Sequence, residues 1–328
     1  MATANVYSAE PALPILADTL LSPSPTPNPS RPNNTWSLQH DLENGIHPNS
    51  SVFRPGAIIG FSRIRAKSPE NDEYIGQIPR YLLTTHLRSS PASPDPSAFI
   101  IHPNMFSAFA ARTLYHDLLS PHLSHSANGL SKDEAIRRLD SVHLLPVHDF
   151  AGATQAISKV SDELQEMHSR RLADDQTNRI ALDSRAVLLI VVGLDTLAEG
   201  VIRASNPVKG AAQLAATLRT LTCLSRVRGS SLSVLLVNTH GLGSMYSEAD
   251  GKAASSTHRQ ADTRDDQLHS IFHPTGPSLL SNLLTKTLDQ GIDTHLLLSD
   301  VKGANVVEVI KDRVGSGVGK WSVWMQGR

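Results

Sequence analysis

The apolar residues of this chain are grouped in short unbroken runs that alternate with amphipathic segments. The run at 185–197 reads Arg-Ala-Val-Leu-Leu-Ile-Val-Val-Gly-Leu-Asp-Thr-Leu, without polar alternation along its apolar part. Such a strand is buried on both faces, as in the centre of a parallel sheet. A second run at 233–240 follows a helical stripe at 211–227. Strand, helix and strand in this order predict a right-handed crossover unit of an α/β sheet.

Weaker patterns predict the remaining elements. Strands are predicted at 56–62, 98–101, 142–147, 306–311 and 321–325, and helices at 74–88, 106–119, 152–171 and 278–290. The last two strands enclose a glycine-rich stretch at 315–320, which predicts a hairpin at the edge of the sheet. The polar segment at 241–277 is long enough without apolar periodicity to be functional or disordered.

The chain divides into a leader at 1–45 and a core domain at 46–328. Pro and Ser dominate the leader, most of all at 22–30, and such a composition predicts a flexible segment. A short apolar stretch at 13–21 could dock as a helix, either on its own domain or on a neighbouring subunit.

Composition excludes several classes of protein. With Lys+Arg at 30 and Asp+Glu at 31, the net charge is -1, so any nucleic-acid contact must come from a local patch. A single cysteine, Cys223, excludes a disulfide framework and a cysteine metal site within one chain, and we expect a reducing compartment. No run reaches the length of a membrane span and the N-terminus lacks the pattern of a signal peptide, so we expect no membrane partner.

Polar residues follow the two central strands at the point where each strand ends. Asp195 and Thr196 come after the first run, and Asn238, Thr239 and His240 close the second. The carboxyl ends of parallel strands share one edge of the sheet, and ligands of open α/β sheets bind there. The sequence therefore places its candidate site at this edge.

The order of these elements resembles the RecA-like ATPase core of eukaryotic recombinases and their paralogues, of a degenerate fungal type. The stretches that carry the resemblance lie at 53–62, 98–106, 139–144, 188–193, 235–240 and 309–313. The resemblance implies a RecA-like fold with a mainly parallel central sheet, flanking helices and a C-terminal β-hairpin. It covers roughly residues 46 to 325.

The catalytic residues of that family are missing from the matching positions. A phosphate loop needs a glycine before its Lys-Ser ending, and here Ala66 precedes Lys67 and Ser68. The resemblance puts the family's general-base Glu at Pro103 and its metal-binding Asp at Gly193. It therefore implies a protein without catalysis and without a bound cofactor.

Four residues remain as a possible remnant of a nucleotide site. They are Lys67, Ser68, Asp195 and His240, the last of which replaces a Gln of the family. Asp195 could reach Mg²⁺ through water if the register shifts by two residues, and it could equally cap the turn. Gly315 to Lys320 resembles a phosphate loop by composition, but it has the wrong spacing and stands between two strands, which indicates a hairpin turn.

Two groups of cations are candidates for DNA contact. Lys252, Arg259 and Arg264 lie in the polar segment that corresponds to the family's DNA-binding loop, although acidic residues there cancel their charge. Lys311, Arg313 and Lys320 lie on the predicted hairpin. They could contact phosphates or could protect an edge strand from pairing.

The resemblance implies a non-catalytic paralogue that acts in homologous recombination and DNA repair in the nucleus. Its expected partners are other RecA-like subunits, in a hetero-oligomer, and DNA. Two alternatives remain at the level of sequence. One is a RecA-like subunit of an Elongator-type transfer RNA modification assembly, and the other is a divergent enzyme that binds ATP and Mg²⁺ through the remnant residues.

Overall fold

The computed structural model describes residues 36–50, 52–64, 72–90, 95–120, 130–175, 186–229, 231–243, 268–272, 278–301 and 303–324. The helices are α1 Leu38–Asn44, α2 Asp72–Ser89, α3 Ala111–Leu119, α4 Lys132–Leu139, α5 Phe150–Asp175, α6 Leu194–Ala204, α7 Pro207–Val227 and α8 Leu283–Gln290, with a 3-10 turn at Ser107–Phe109. The strands are β1 Ile58–Arg63, β2 Ala98–Pro103, β3 Val142–Val147, β4 Val187–Val192, β5 Leu232–Val237, β6 Thr294–Val301, β7 Ala304–Asp312 and β8 Trp321–Val323.

The strands form one sheet in the order β3-β2-β4-β5-β1-β6-β7-β8. Pairing is parallel from β3 to β6, and β7 and β8 join antiparallel to their neighbours. Every residue of β4 and β5 is buried, as their unbroken apolar runs predict. The predicted fold class is thereby confirmed: a mainly parallel sheet, flanking helices and a C-terminal hairpin.

The two faces of the sheet carry separate apolar cores. Helices α1 to α4 supply one core, and α5 to α8 supply the other. Right-handed crossovers place the helices on one face when the chain moves along the sheet in one direction and on the other face when it moves back. Here the chain moves from β1 to β3 with helices on one face, and then from β3 back to β6 with helices on the other. Strands with helices on opposite faces meet at a switch point, and a crevice opens at their carboxyl ends.

Local capping sets the starts of the helices that follow the central strands. Asn206 accepts a hydrogen bond from Lys209 N at 2.8 Å and Pro207 occupies the first turn, so α7 begins four residues before the predicted start at 211. Asn282 and Thr285 form a capping box, which delays α8 from the predicted 278 to Leu283.

Several elements were missed by the sequence analysis. The segment predicted as a flexible leader up to residue 45 contains α1, whose Leu38 and Leu42 are buried, so the ordered core begins before residue 46. The polar segment before β3 contains α4, and the central strand β6 was not predicted at all. The turn predicted after β4 is the first turn of α6, because Gly193 adopts φ +68° and ends the strand there.

Among the described residues, no helix combines the length and apolarity that crossing a membrane requires. The apolar stretch at 13–21, the remnant residues Lys67 and Ser68, and the loop cations Lys252, Arg259 and Arg264 lie outside the described residues.

Candidate functional site at the carboxyl edge of the sheet

The ends of β4 and β5 are tied together at the carboxyl edge. Gly193 N donates a hydrogen bond to Val237 O at 2.8 Å. Its left-handed backbone turns the chain directly into α6, and so brings Asp195 and Thr196 over the end of β5. Asn238, Thr239 and His240 leave β5 at the same place, as the sequence analysis predicted for this edge.

Asp195 is 3% exposed and uses both of its carboxylate oxygens. Oδ1 accepts a hydrogen bond from Thr239 N at 3.1 Å, and Oδ2 accepts one from His240 N at 2.7 Å. Asp195 therefore fastens the chain after β5 to the first turn of α6. Its carboxylate is directed into the protein rather than towards an open crevice.

Burial raises the pKa of Asp195 above its ordinary value. The backbone N–H groups of His240, Thr239 and Thr196 favour the charged form, but they do not compensate for the loss of solvation. The link that Asp195 makes between α6 and the segment after β5 therefore comes with a loss of solvation, and this loss disfavours the charged form of the side chain.

The neighbouring polar side chains also bond to each other. His240 Nδ1 lies 2.8 Å from Glu199 Oε2, and the hydroxyls of Thr196 and Thr239 are 2.6 Å apart. Each of these pairs joins α6 to the segment after β5. Of the predicted remnant residues, the structure therefore brings Asp195 and His240 together, and it uses both for local structure.

The positions that the resemblance assigns to two catalytic carboxylates hold Gly193 and Pro103. A Cβ built on Gly193 would lie 3.0 Å from Pro103 Cγ, and it would have to adopt the positive φ that side chains avoid. The two residues thus pack on each other at the positions that the resemblance assigns to a metal ligand and a general base.

These residues do not fit the Mg²⁺-nucleotide group that the alternative of a divergent ATP-binding enzyme requires. Gly193 and Pro103 offer no ligand, and Asp195 is committed to backbone N–H groups. Within the part of the chain that the structure describes, no three His, Cys, Asp or Glu side chains are grouped so that they could hold a metal ion.

A second polar network, which the sequence analysis missed, runs through the interior beside β1. Asn238 Nδ2 donates to Ser62 Oγ at 2.8 Å, and Ser62 Oγ lies 2.8 Å from His295 Nε2. His295 Nδ1 lies 3.0 Å from Asp289 Oδ1, and Lys311 Nζ is 2.7 Å from Asp289 Oδ2. The network joins β5, β1, β6, α8 and β7.

The groups of this network form one continuous chain. Lys311 donates to Asp289, Asn238 donates to Ser62, and the His295 ring lies within hydrogen-bond distance of both Asp289 and Ser62. This order of groups matches a Ser-His-Asp triad. Ser62 and His295 are, however, fully buried, so no substrate reaches them and the network is structural.

Charges in the network shift two pKa values. Burial alone would raise the pKa of Asp289, but the hydrogen bonds and charges of His295 and Lys311 outweigh burial and lower it. Burial lowers the pKa of Lys311, although Asp289 opposes that shift. The sequence offered little signal for this network, because its members come from four separate strands or their ends and from one helix. No local spacing therefore connects them.

The structure separates the three hairpin cations that were predicted to contact DNA. Lys311 is mostly buried and paired with Asp289. Arg313 is exposed and donates from Nη1 to Gln290 O at 2.9 Å. Lys320 is partly exposed and directly precedes β8. Arg313 and Lys320 thus remain accessible to a phosphate, whereas Lys311 belongs to the buried network.

A groove of about 840 Å³ lies between α5, α6 and α7. Small polar residues contribute much of its lining, and the hydroxyls of Thr154, Ser205 and Thr217 bond to carbonyls one turn earlier in their own helices. The groove shows no convergent set of polar groups of the kind that fixes a small ligand.

No protein-family model matches this chain, and no curated protein matches it. Among solved structures, the crystal structure of the RadB recombinase superposes with a TM-score of 0.45 at 14% sequence identity. The alignment covers 82% of this chain and 86% of that chain. The strand order and the placement of helices given above define the fold of this chain independently of that likeness.

Proposed function

We propose that this chain is a non-catalytic RecA-like core that acts in homologous recombination and DNA repair, by pairing with other RecA-like subunits and by contacting DNA. One observation carries the non-catalytic part: Gly193 and Pro103 pack together where the resemblance requires a metal-binding Asp and a general-base Glu. Asp195, the carboxylate that lies closest in sequence to position 193, is bound to Thr239 N and His240 N instead.

The DNA contact in this proposal rests on Arg313 and Lys320. Both belong to the loop that joins β7 and β8, and both are accessible, unlike Lys311. Contacts of this kind with phosphates carry no base information, so binding would be independent of sequence and strongly salt-dependent. Assembly with other RecA-like subunits and a nuclear location come from the resemblance, and they belong to the same proposal.

Nucleotide binding tests the non-catalytic part directly. The full chain is titrated with a fluorescent ATP analogue in the presence of Mg²⁺, with an active RecA-like ATPase as the positive control. We expect no saturable signal, because the phosphate loop lacks its glycine and the metal ligands are absent. Saturable binding that competes with unlabelled ATP would overturn this part of the proposal and favour the divergent ATP-binding enzyme.

The DNA contact is tested by fluorescence anisotropy with a labelled single-stranded DNA at several salt concentrations. Each phosphate contact on single strands adds about 0.7 to the slope of log affinity against log salt, so Arg313→Gln with Lys320→Gln should lower the slope by about 1.4. Lys159→Gln is the matched control, because Lys159 is an exposed lysine on the remote helix α5. An unchanged slope would exclude the hairpin as the DNA contact.

Transfer RNA added as a competitor separates the two kinds of assembly. Preference for DNA supports the recombination role. Clear preference for transfer RNA over single-stranded DNA would contradict that role and favour an Elongator-type assembly.

A further inference from the structure

Strand β8 lies at one end of the sheet. It pairs with β7 through the registers Val306 to Val323 and Glu308 to Trp321. Within the described ranges, no strand pairs with the other side of β8. An open edge of this kind can accept a further strand.

The hydrogen-bond register shows which backbone groups of β8 face outwards. Trp324 N donates to Asn305 O at 2.7 Å, and Val309 N donates to Lys320 O at 2.9 Å. In an antiparallel pair, hydrogen-bonded residues alternate with residues whose N–H and C=O point away. Lys320, Ser322 and Trp324 therefore face β7, whereas Trp321 and Val323 present their N–H and C=O groups at the open edge.

The outward-facing residues of β8 are also apolar and exposed. Trp321 is 41% exposed and Val323 is 47% exposed. Their face is extended by Phe272, whose ring meets Trp321 edge-on at 5.3 Å. Ile271, the neighbour of Phe272 in the chain, is 48% exposed. Edge strands of soluble proteins normally carry charge or proline at such positions, because these prevent pairing.

A buried carboxylate holds this apolar surface in place. Glu308 on β7 is 1% exposed. Its Oε2 accepts a hydrogen bond from Ser270 Oγ at 2.7 Å, and its Oε1 accepts one from Ile271 N at 2.8 Å. The segment that carries Ile271 and Phe272 is thus anchored to the sheet, and the Phe272 ring is kept beside Trp321.

We propose that two copies of this chain associate through antiparallel pairing of their β8 strands, about a two-fold axis at Ser322. In that register Trp321 of one copy lies opposite Val323 of the second copy, and the two residues exchange both backbone hydrogen bonds. The same pair recurs across the axis, which gives four hydrogen bonds and two aromatic to β-branched contacts, a favourable kind of cross-strand pair.

The absence of charge on β8 favours a second copy of this chain as the occupant, because the same strand can pair with itself without repulsion. The segment 321–324 carries no charged residue, so no like charges meet. Lys320 falls opposite Trp324 of the second copy, on the same face of the extended sheet, and a cation beside an indole ring is an attractive pair. The other end of the sheet differs, since β3 contains Pro146, which has no N–H to give to a partner strand.

Sedimentation velocity of the full chain over a range of concentrations tests the association. We expect a dimer whose fraction grows with concentration. Val323→Pro removes only an outward N–H from each copy, and should weaken the dimer at least about tenfold while the β7–β8 ladder is kept. Val323→Thr keeps the N–H and the branched side chain, and should leave the dimer unchanged. A monomer at every concentration, or a dimer that Val323→Pro leaves intact, would overturn the proposal.

Cross-linking tests the register and remains informative if Val323→Pro fails to fold. At the two-fold axis, the Cα atoms of the two Ser322 residues form a non-hydrogen-bonded pair about 4.5 Å apart, within the reach of a disulfide. Ser322→Cys in a Cys223→Ser background should give a covalent dimer under mild oxidation. Val318→Cys, exposed but outside the strand, is the control. Folded Ser322→Cys protein that cross-links no faster than the control would contradict the register.

This inference stands apart from the proposed function. Loss of DNA binding in the hairpin variants would leave the dimer untouched, and a monomeric protein would leave the DNA-related role to be judged by its own assays.

Discussion

The two polar networks of this protein lie on either side of the end of β5, and they differ in how much solvent reaches them. The network of Asp195, His240 and Glu199 lies at the carboxyl edge, where Thr196 is exposed and Thr239 is partly exposed. The network of Ser62, His295 and Asp289 lies within the sheet, and two of its members are fully buried. The first network ties α6 to the segment after β5, whereas the second joins four strands and a helix.

This difference shows where the fold is constrained. A buried polar group must find its partners within the protein, so the inner network fixes the positions of β1, β6 and β7 relative to one another. The groups at the carboxyl edge could have bonded to water or to a ligand, and here they bond to each other instead. Substitutions in the inner network should therefore cost more than substitutions at the edge.

His295→Leu should have the largest effect. It removes the ring nitrogens that bond to Ser62 and to Asp289, and each buried group left unsatisfied costs about 1–3 kcal/mol. We expect a loss of about 4 kcal/mol in the free energy of unfolding, measured by urea denaturation at pH 7. Ser62→Ala should cost about 1 kcal/mol, and the double variant should be more stable than the sum of the two changes predicts. Additivity of the two losses would show that the residues are not coupled.

Gly193→Asp restores the carboxylate that the resemblance places after β4, and should destabilise the protein by about 2 kcal/mol. The loss is expected because position 193 has a positive φ, and because a new Cβ there would press against Pro103. Gly200→Asp is the matched control, since a Cβ there meets nothing within 4 Å and Gly200 is helical. Its effect should stay within about 0.5 kcal/mol. Stable Gly193→Asp protein that binds Mg²⁺ would show that the edge is an intact metal site.

The two carboxylates should respond to acid in opposite directions. The pKa of Asp289 is lowered in the folded state, so its stabilising contribution is present above its unfolded pKa of about 3.9 and is lost as pH falls through the folded value. The pKa of Asp195 is raised, so its contribution is greatest below about pH 3.9 and declines as pH rises through the folded value.

Urea denaturation of Asp289→Asn and Asp195→Asn against pH measures this contrast. On acidification below pH 4, the destabilisation caused by Asp289→Asn should shrink. As pH falls towards 4, the wild type should gain stability relative to Asp195→Asn. Slopes of the same sign for both variants would contradict the assignment.

Thr196→Val should have the smallest effect. Its hydroxyl pairs with Thr239 at 2.6 Å, but Thr196 is exposed, so water replaces the lost partner. We expect a change of at most about 0.5 kcal/mol in the free energy of unfolding. A loss above 1.5 kcal/mol would mean that the edge network is as strongly coupled as the inner one.

The fold was largely predictable from the sequence, because its central strands are buried on both faces. Unbroken runs such as Val187–Val192 leave no solvent face for polar residues, and the helices between them carry clear apolar stripes. The strand β6 was missed, since its His295, Ser299 and Asp300 interrupt the apolar run. The helix α1 was missed because its seven residues bury few apolar side chains.

The candidate site was predictable only in its position. The polar residues after β4 and β5 could be assigned to one edge, because parallel strands end on the same side. Whether Asp195 faces a ligand or the backbone could not be predicted, because its direction depends on the positive φ of one residue, Gly193, which turns the chain into α6. The separation of Lys311 from Arg313 and Lys320 depends in the same way on Asp289, which is distant in sequence.

The sequence alone determined the class of fold, the central position of β4 and β5 and the hairpin at the C-terminal edge. These properties follow from local patterns of side chains. Only the tertiary structure decided that Asp195 and His240 bond to each other, that Lys311 is buried, and that Trp321 and Val323 face outwards. Those properties depend on contacts between segments far apart in the chain, and on a backbone register that residue types do not reveal.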